Sequence, residues 1–373
     1  MLLVEADGKA LFRAAGIAVP VGVEAGRGAA PVLPGDGPWM VKAQVPAGGR
    51  GKAGGVARGA DAASVRAAVA HQLGLRIKGH DVECCLVEQV ARGAERYLAL
   101  VLDPAEYAVR VLFSAEGGVD IEQAAAVASR LCPPEVDAIT AAVDELVAGE
   151  PEGWRVALVA TGQRLARLML DHELMLAEIN PLFVSVAGCV AGDAKVVIDL
   201  NAIDRQPAIA ALLRARPATY ADAVRKLDEG FDYVELDPDG EVGLVTTGAG
   251  LSMMLVDEMT ARGMKPLNFL DIRTGQLRGS PARLIRVLEW IAERKRVKVV
   301  LVNIFAGITD LGEFAGLLAD AIAATPALRV PVVARLVGRG AEQARRVLAE
   351  RMPGMVVEEE LEAALARVAR ACA

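Results

Sequence analysis

Between residues 241 and 352, four near-continuous apolar runs alternate with four helical patterns. EVGLVTT (241–247) precedes LSMMLVDEMTARG, and PLNFLDI (266–272) precedes PARLIRVLEWIAERK. VKVVLVNIF (297–305) precedes EFAGLLADAIAA, and VPVVARLVG (330–338) precedes AEQARRVLAERM. A strand that is apolar on both faces must be covered on both faces, as in a parallel sheet between two layers of helices. The alternation therefore predicts a doubly wound α/β domain over 238–373, with ELDPDGEVG leading into it.

The first half has another rhythm. Helical periodicity falls at 7–15, 61–74 and 153–171. Strands follow one another closely: CCLVEQV (84–90), RYLALVLD (96–103) and AVRVLFSA (108–115), then LMLAEINPLFVS (174–185) and AKVVIDL (194–200). Close spacing with Gly, Asp and Pro between the runs predicts antiparallel hairpins and an α+β domain over 1–225. Residues 123–150, rich in Ala, Pro and acids, read as a surface excursion.

A length of 373 residues suits two or three domains, and with 53% hydrophobic but only 4% aromatic residues the cores must be Ala, Val and Leu. A net charge of −7 leaves no broad basic field for nucleic acid or a membrane surface. The five cysteines include no C-x-x-C pair, so neither a disulfide framework nor a zinc site is indicated. The N-terminus MLLVEADGKALF is no signal peptide, and no apolar run spans a bilayer, so the expected location is cytoplasmic.

Three stretches could carry chemistry. The first is KAQVPAGGRGKAGG (42–55), a glycine-rich loop after the strand PWMVKAQV (38–45). Its glycines let backbone N–H groups approach a phosphate, and Lys42, Arg50 and Lys52 supply counter-charge. It is not a G-x-x-x-x-G-K-[ST] loop, and a solvated hairpin tip is the plain alternative. The second is AEINP: on a strand Glu178 and Asn180 share a face, and Asp199 on the next strand could join them. Such a mixed oxygen set suits Mg²⁺ carrying nucleotide phosphates, though a half-exposed polar face would look the same. The third is TTGAGLSMM (246–254), a strand, tight turn and helix that half-matches G-x-G-x-x-G. Gly248 and Gly250 fit, Met253 stands at the third glycine, and Asp271 lies near the place of a ribose-binding acid, a weak hint of NAD. None of His71, His80 or His172 stands in a catalytic context, and no nucleophile elbow is present.

In order, these stretches resemble the β subunit of the succinate–CoA ligase (succinyl-CoA synthetase) family nearly end to end. The resemblance is carried by KALFRAAGIAVP (9–20), VKAQVPAGGRGKAGGV (41–56), LVEQ (86–89), EGGVDIE (116–122), AEINPL (177–182), GAGLSM (248–253), NFLD (268–271) and LVNIFAGI (301–308). It implies an ATP-grasp fold for 1–225, with one lobe about 21–100 and the other formed by 1–20 and 101–225. It implies a flavodoxin-like domain for 238–373. By position, Lys42, Gly49, Arg50 and Gly51 would hold the triphosphate, and Glu88 and Glu95 the adenine and ribose end. Asn180 and Asp199 would bind Mg²⁺, and Glu178 would contact a phosphohistidine on a partner α subunit that also binds CoA. Asn268, Gly307, Ile308 and Thr309 match the positions that bind a small carboxylic acid. Pro20 resembles members that use ATP rather than GTP. The implied chemistry is two half-reactions, from ATP to the partner's histidine and from there through an acyl phosphate to the CoA thioester.

The chain also departs from the family. Ile272, Arg273, Thr274 and Gly275 stand where a run of glycines is usual, and TDLGEF follows NIFAGI-type sequence where a basic residue and a cysteine are usual. Pro46 replaces a histidine. Asp310 and Glu313 have capping-box spacing and would repel a phosphate or a dicarboxylate. The expectation is an acid other than succinate. Two other readings stay open: a lone-chain ATP-grasp ligase with a non-CoA nucleophile, and a nucleotide-binding subunit without turnover.

Overall fold

A computed structural model of the chain describes residues 1–28, 32–118 and 127–373. Two compact units result, Met1–Thr219 and Tyr220–Ala373.

The first unit holds two antiparallel sheets. In the smaller, the order is β1 (Gly22–Gly26), β6 (Cys84–Gln89), β2 (Trp39–Ala43) and β3 (Val56–Gly59), with α2 (Ala62–Gln72) packed on it. Its core is Trp39, Val41, Val65, Val69, Cys85 and Val87, built by alternate residues of the central strands facing the helix. A two-stranded ribbon of β4 (Arg76–Ile77) and β5 (His80–Asp81) precedes β6. The larger sheet runs β11 (Gly188–Ala191), β10 (Leu174–Ser185), β7 (Ala94–Asp103), β8 (Ala108–Ser114), β9 (Ala128–Cys132), with β12 (Lys195–Ile198) also on β10. Helices α3 (Val136–Leu146) and α4 (Glu152–Asp171) cover it, α1 (Glu5–Ala14) packs beside β12, and α5 (Pro207–Ala215) ends the unit.

Two expectations change here. The hairpin of 84–90 with 96–103 does not form: β6 inserts between β1 and β2, and β7 pairs with β8 and β10 instead. Close spacing marks a hairpin only when both strands share a sheet, and here the chain changes sheets at Val90–Gly93. The described part of 123–150 is no surface excursion. β9 extends the larger sheet, and α3 buries Ile139, Ala142 and Val143. These alanines and valines are core on one helix face, a pattern that small side chains make faint. Residues 123–126, and 119–122 of the EGGVDIE stretch, lie outside the described residues.

The second unit begins with α6 (Ala221–Glu229) and β13 (Asp232–Glu235). Its parallel sheet runs β14 (Val242–Thr246), β16 (Val299–Ala306), β17 (Val332–Gly338) and β18 (Val356–Glu358). The strand β15 (Asn268–Asp271) pairs antiparallel with β13 and lies along β14, where Leu267 N–H donates to Val242 and Ile272 N–H to Thr246. The strand order β15-β14-β16-β17-β18 is the flavodoxin-like 2-1-3-4-5. Helices α7 (Ala249–Ala261), α8 (Ala282–Ala292), α9 (Leu311–Ala324), α10 (Ala341–Arg351) and α11 (Leu361–Cys372) sandwich it. Two apolar clusters result, one on each sheet face, as the doubly apolar strands require. Among the described residues no helix is long and apolar enough to cross a membrane.

Candidate active site

A cavity of about 950 Å³ opens in the first unit. The loop Gly48–Ala53 forms one wall; Glu178, Asn180 and Asp193–Lys195 form another, with Leu2, Leu3, Glu5, Lys78 and Gly118 between. A Cβ on Gly48 or Gly51 would meet no atom within 4 Å, so the loop backbone faces open space. Gly49 (φ +76°) and Gly54 (φ +77°) take the left-handed conformation that other residues resist. The structure therefore brings Gly49, Arg50, Gly51, Glu178 and Asn180 to one place.

Beneath the cavity lies a buried set of charges. Helix α1 begins at Glu5, and the i,i+4 spacing stacks Glu5 on Lys9, with Nζ 2.7 Å from Oε1. Lys42 Nζ lies 2.8 Å from Glu5 Oε1 and 2.7 Å from Glu88 Oε1, and donates to the Gly192 carbonyl at 2.6 Å. Lys9 donates to both Glu88 oxygens and to the same carbonyl. Arg50 Nη2 lies 2.7 Å from Glu5 Oε2 and 3.0 Å from Asp193 Oδ1, and Nη1 donates to Ala43 O. Burial alone would raise the Glu5 carboxyl, but Lys42, Lys9 and Arg50 outweigh it and hold it well below the usual carboxylate range. Burial likewise opposes the Lys42 ammonium, yet Glu5, Glu88 and Asp193 hold it above the usual lysine range.

Two of the expected nucleotide ligands thus sit one layer deeper than expected. Lys42 has three acceptors within 2.8 Å and does not line the cavity, and Glu88, 2% exposed, faces two ammonium groups. Glu95 is exposed, with its carboxylate against Gly118 at the cavity edge. Glu5, Lys9 and Lys78 belong to the site and had no distinctive sequence signal. E-x-x-x-K at a helix start looks like any surface pair.

Asn180 and Asp199 do not meet. β10 and β12 are antiparallel with Glu178 opposite Lys195 and Leu174 opposite Ile198, so Asp199 lies beyond the far end of the pair. Six residues, ~20 Å of strand, separate it from the position opposite Asn180. That position is Asp193, fixed by the bond from Gly192 N–H to Pro181 O. Asn180 Oδ1 accepts from Gly118 N–H at 2.7 Å. Asp193 Oδ1 accepts from Arg50 and from Ala194 N–H, while its Oδ2 has no partner among the described residues. A carboxylate oxygen beside an amide oxygen, open to a cavity walled by glycine N–H groups and cations, fits a hard divalent cation arriving with phosphates. Counting antiparallel register from Glu178, rather than taking the next acid on the strand, is the signal that finds Asp193. Glu178 itself is 14% exposed, with Lys195 Nζ 3.2 Å from Oε2.

In the second unit the four expected acid-binding residues separate. Asn268, fully buried, accepts from Leu244 N–H at 2.9 Å and donates to Leu244 O at 3.0 Å. Its side-chain amide acts as a rung between β15 and β14, with its oxygen and one N–H turned to the Leu244 backbone. It lies at the start of β15, whereas Gly307, Ile308 and Thr309 follow the end of β16. Thr309 instead meets Thr274, hydroxyl to hydroxyl at 2.9 Å, and Thr274 meets Thr247 at 3.4 Å. Ile308 is 93% exposed. Asp310 caps α9, its Oδ1 accepting from Gly312 and Glu313 N–H, while Leu311 N–H donates to Arg339 O. The reciprocal bond of a capping box, from Asp310 N–H to the Glu313 carboxylate, is not made among the described residues. Asp271 accepts from Gly248 and Arg273 N–H, so the acid that hinted at a ribose site braces its own turn. None of the three histidines lines the cavity.

Comparison with known proteins identifies both units. The ATP-grasp domain model matches residues 2–184 and the CoA-ligase model residues 245–369. The chain is 37% identical to the succinate–CoA ligase [ADP-forming] subunit β of Thioalkalivibrio sulfidiphilus, over 97% of each chain. It is 33% identical to that of Desulfurococcus amylolyticus, over 99% of this chain and 98% of the relative. ATP citrate lyase from Methanothrix soehngenii, solved with citrate and coenzyme A, shares the fold over 96% of this chain and 95% of its own, with a TM-score of 0.73 at 18% identity. An ATP-grasp unit followed by a CoA-ligase unit, matched end to end at this identity, means that the chain belongs to the β-subunit family of ADP-forming succinate–CoA ligases, which are acid–thiol ligases.

Proposed function

We propose that this chain binds Mg-ATP in the cavity of its first unit and passes the terminal phosphoryl group to a histidine of a partner α subunit. One observation carries the reading. Glu178, Asn180 and Asp193 share a cavity with the Gly48–Gly51 backbone and Arg50, and no histidine of the chain lines it. The loop N–H groups and Arg50 would hold the phosphates, and Asn180 and Asp193 the magnesium, which supplies neutralising charge when bound. Glu178 would accept a hydrogen bond from the incoming imidazole and orient its other nitrogen toward the γ-phosphorus. The P–O bond to ADP breaks as the N–P bond forms. The phosphoryl group then moves to a carboxylate, and CoA thiolate displaces phosphate to give the thioester. CoA belongs mainly to the partner in this scheme. Five free thiols suit a cytoplasmic enzyme.

The test is γ-labelled ATP with Mg²⁺ added to the chain purified with whatever accompanies it. Acid-labile label on a second polypeptide is expected, and Glu178→Gln should slow labelling about 100-fold while ATP still binds. Tight ATP binding without a labelled partner would instead favour a lone-chain ligase or a sensing subunit. The acid is read as one other than succinate. Asp310 occupies the first N–H groups of α9, and Asn268 is used inside the sheet. A panel of acids with the labelled complex checks this, and succinate turning over fastest would end it.

A further inference from the structure

Arg50 is gripped by two carboxylates, and the two contacts differ in kind. Nη2 donates to Asp193 Oδ1 at 3.0 Å in good geometry. It also lies 2.7 Å from Glu5 Oε2, yet that oxygen, wholly buried, receives no hydrogen bond. A buried carboxylate oxygen close to a guanidinium but not aligned with it is an unfinished interaction. A single nitrogen, Nη2, lies close to both carboxylates and is aligned only with Asp193.

We infer that Arg50 is a two-position arm, latched by Asp193 when the cavity holds no nucleotide and aligned by Glu5 when metal and nucleotide are bound. The inference rests on the nucleotide reading of the cavity. Glu5 acts through Arg50 and is a positioning residue. The charges make the exchange favourable. Lys9, Lys42 and Arg50 face Glu5 and Glu88 in the buried set, and Asp193, one-third exposed on the cavity wall, completes the balance. A divalent cation that takes Asp193 leaves three cations against two carboxylates, directly beneath the phosphates. Lys9 and Lys42 cannot answer that change, because each ammonium is spent on Glu5, Glu88 and the Gly192 carbonyl. Arg50 can, since it stands on a loop whose flanking Gly48 and Gly51 have open space beside them. Turning onto Glu5 Oε2 would complete the missing hydrogen bond and exchange the Nη1 bond to Ala43 O for one to the ligand.

The test is calorimetric titration of ATP into the full-length chain, with Mg²⁺ and with EDTA, for the natural protein, Asp193→Asn, Arg50→Gln and the double variant. In EDTA, Asp193→Asn should bind ATP about tenfold tighter than the natural protein, because the arm is released. In the Arg50→Gln background the same change should alter binding less than about twofold, since there is no arm to release. An equal gain in both backgrounds would mean that Asp193 merely repels the phosphates, and would overturn the latch. Glu5→Gln should weaken binding with Mg²⁺ about tenfold and leave binding in EDTA nearly unchanged; equal loss in both would mark Glu5 as structural only. The Arg50–Asp193 cycle leaves Glu5 intact and decides the latch even where Glu5→Gln does not fold. A natural protein that binds no ATP with Mg²⁺ would overturn the nucleotide reading, and this inference with it.

Discussion

The two units place polar groups at their candidate sites in opposite ways. Under the cavity of the first, full charges are buried: Glu5, Lys9 and Glu88 are each about 2% exposed. At the corresponding region of the second, neutral groups satisfy one another: the Asn268 amide on Leu244, and hydroxyls of Thr247, Thr274 and Thr309 in a line. Buried charges are costly unless paired, and their pairing is strong only while every partner remains. Neutral groups cost less to bury and less to lose. The first arrangement suits a site that trades carboxylate partners for phosphate; the second suits a frame whose polar groups are already spent.

The comparison predicts a hierarchy of effects. Lys9→Met should be the most damaging substitution, about 3–5 kcal/mol, because it leaves Glu5 and Glu88 with one fewer buried cation. Urea unfolding followed through Trp39 and Trp154, which lie in the first unit, measures it. A cost under ~1 kcal/mol would mean that water reaches these charges and that the contrast is false. The same network sets an acid limb. Glu5 has its folded-state carboxyl held well below the unfolded value, so its stabilisation is present above the ordinary glutamate range, about pH 4.3, and is lost as pH falls through the folded value. Glu5→Gln should therefore be less stable than the natural protein at pH 7 and show a shallower decline below about pH 4. Parallel curves would place the acid sensitivity elsewhere.

Asn268→Leu comes next, at about 2–3 kcal/mol. It leaves the N–H and C=O of Leu244 buried without partners. Trp290, whose ring centroid lies 5.0 Å from that of Tyr233 and 5.9 Å from that of Phe231, reports on this unit. Unfolding of Trp290's surroundings should shift while that of the first unit stays put. If instead the unit is untouched and only acid binding is lost, Asn268 is a ligand after all and the two regions are more alike than their geometry.

What was legible in the sequence follows the same division. Backbone pattern was plain: doubly apolar runs such as VKVVLVNIF could only be buried parallel strands, and β16 spans Val299–Ala306 as that requires. The glycine loop and AEINP were legible because backbone freedom and strand alternation are local properties. What failed was non-local. The sequence reading takes Asp199 and does not reach Asp193, because register across a hairpin is set by pairing, not by the spacing of acids. Asn268 and Glu88 matched binding positions by type, but whether an amide or carboxylate faces a ligand or its own fold depends on neighbours far away in the chain: Leu244 for one, Lys9 for the other. Glu5 was missed for the same reason, since its partners stand at 42 and 50.

The smallest expected effect is at Asp310, and it bears most directly on function. Asp310→Ala should cost about 1 kcal/mol by uncapping α9, whereas Asp310→Asn, which keeps an acceptor for Gly312 and Glu313 N–H, should cost less. If the carboxylate repels the transferred phosphoryl group, replacing Asp310 and Glu313 with uncharged residues should raise phosphotransfer through the partner despite the lower stability. Asp310→Asn separates the two contributions because it removes charge and keeps the cap. A rise with Asn and Ala alike assigns the effect to charge. A rise with Ala alone assigns it to the N–H groups that the cap occupies, and would make the second unit's helix end, like Arg50 in the first, a group withheld from phosphate by a carboxylate of the chain itself.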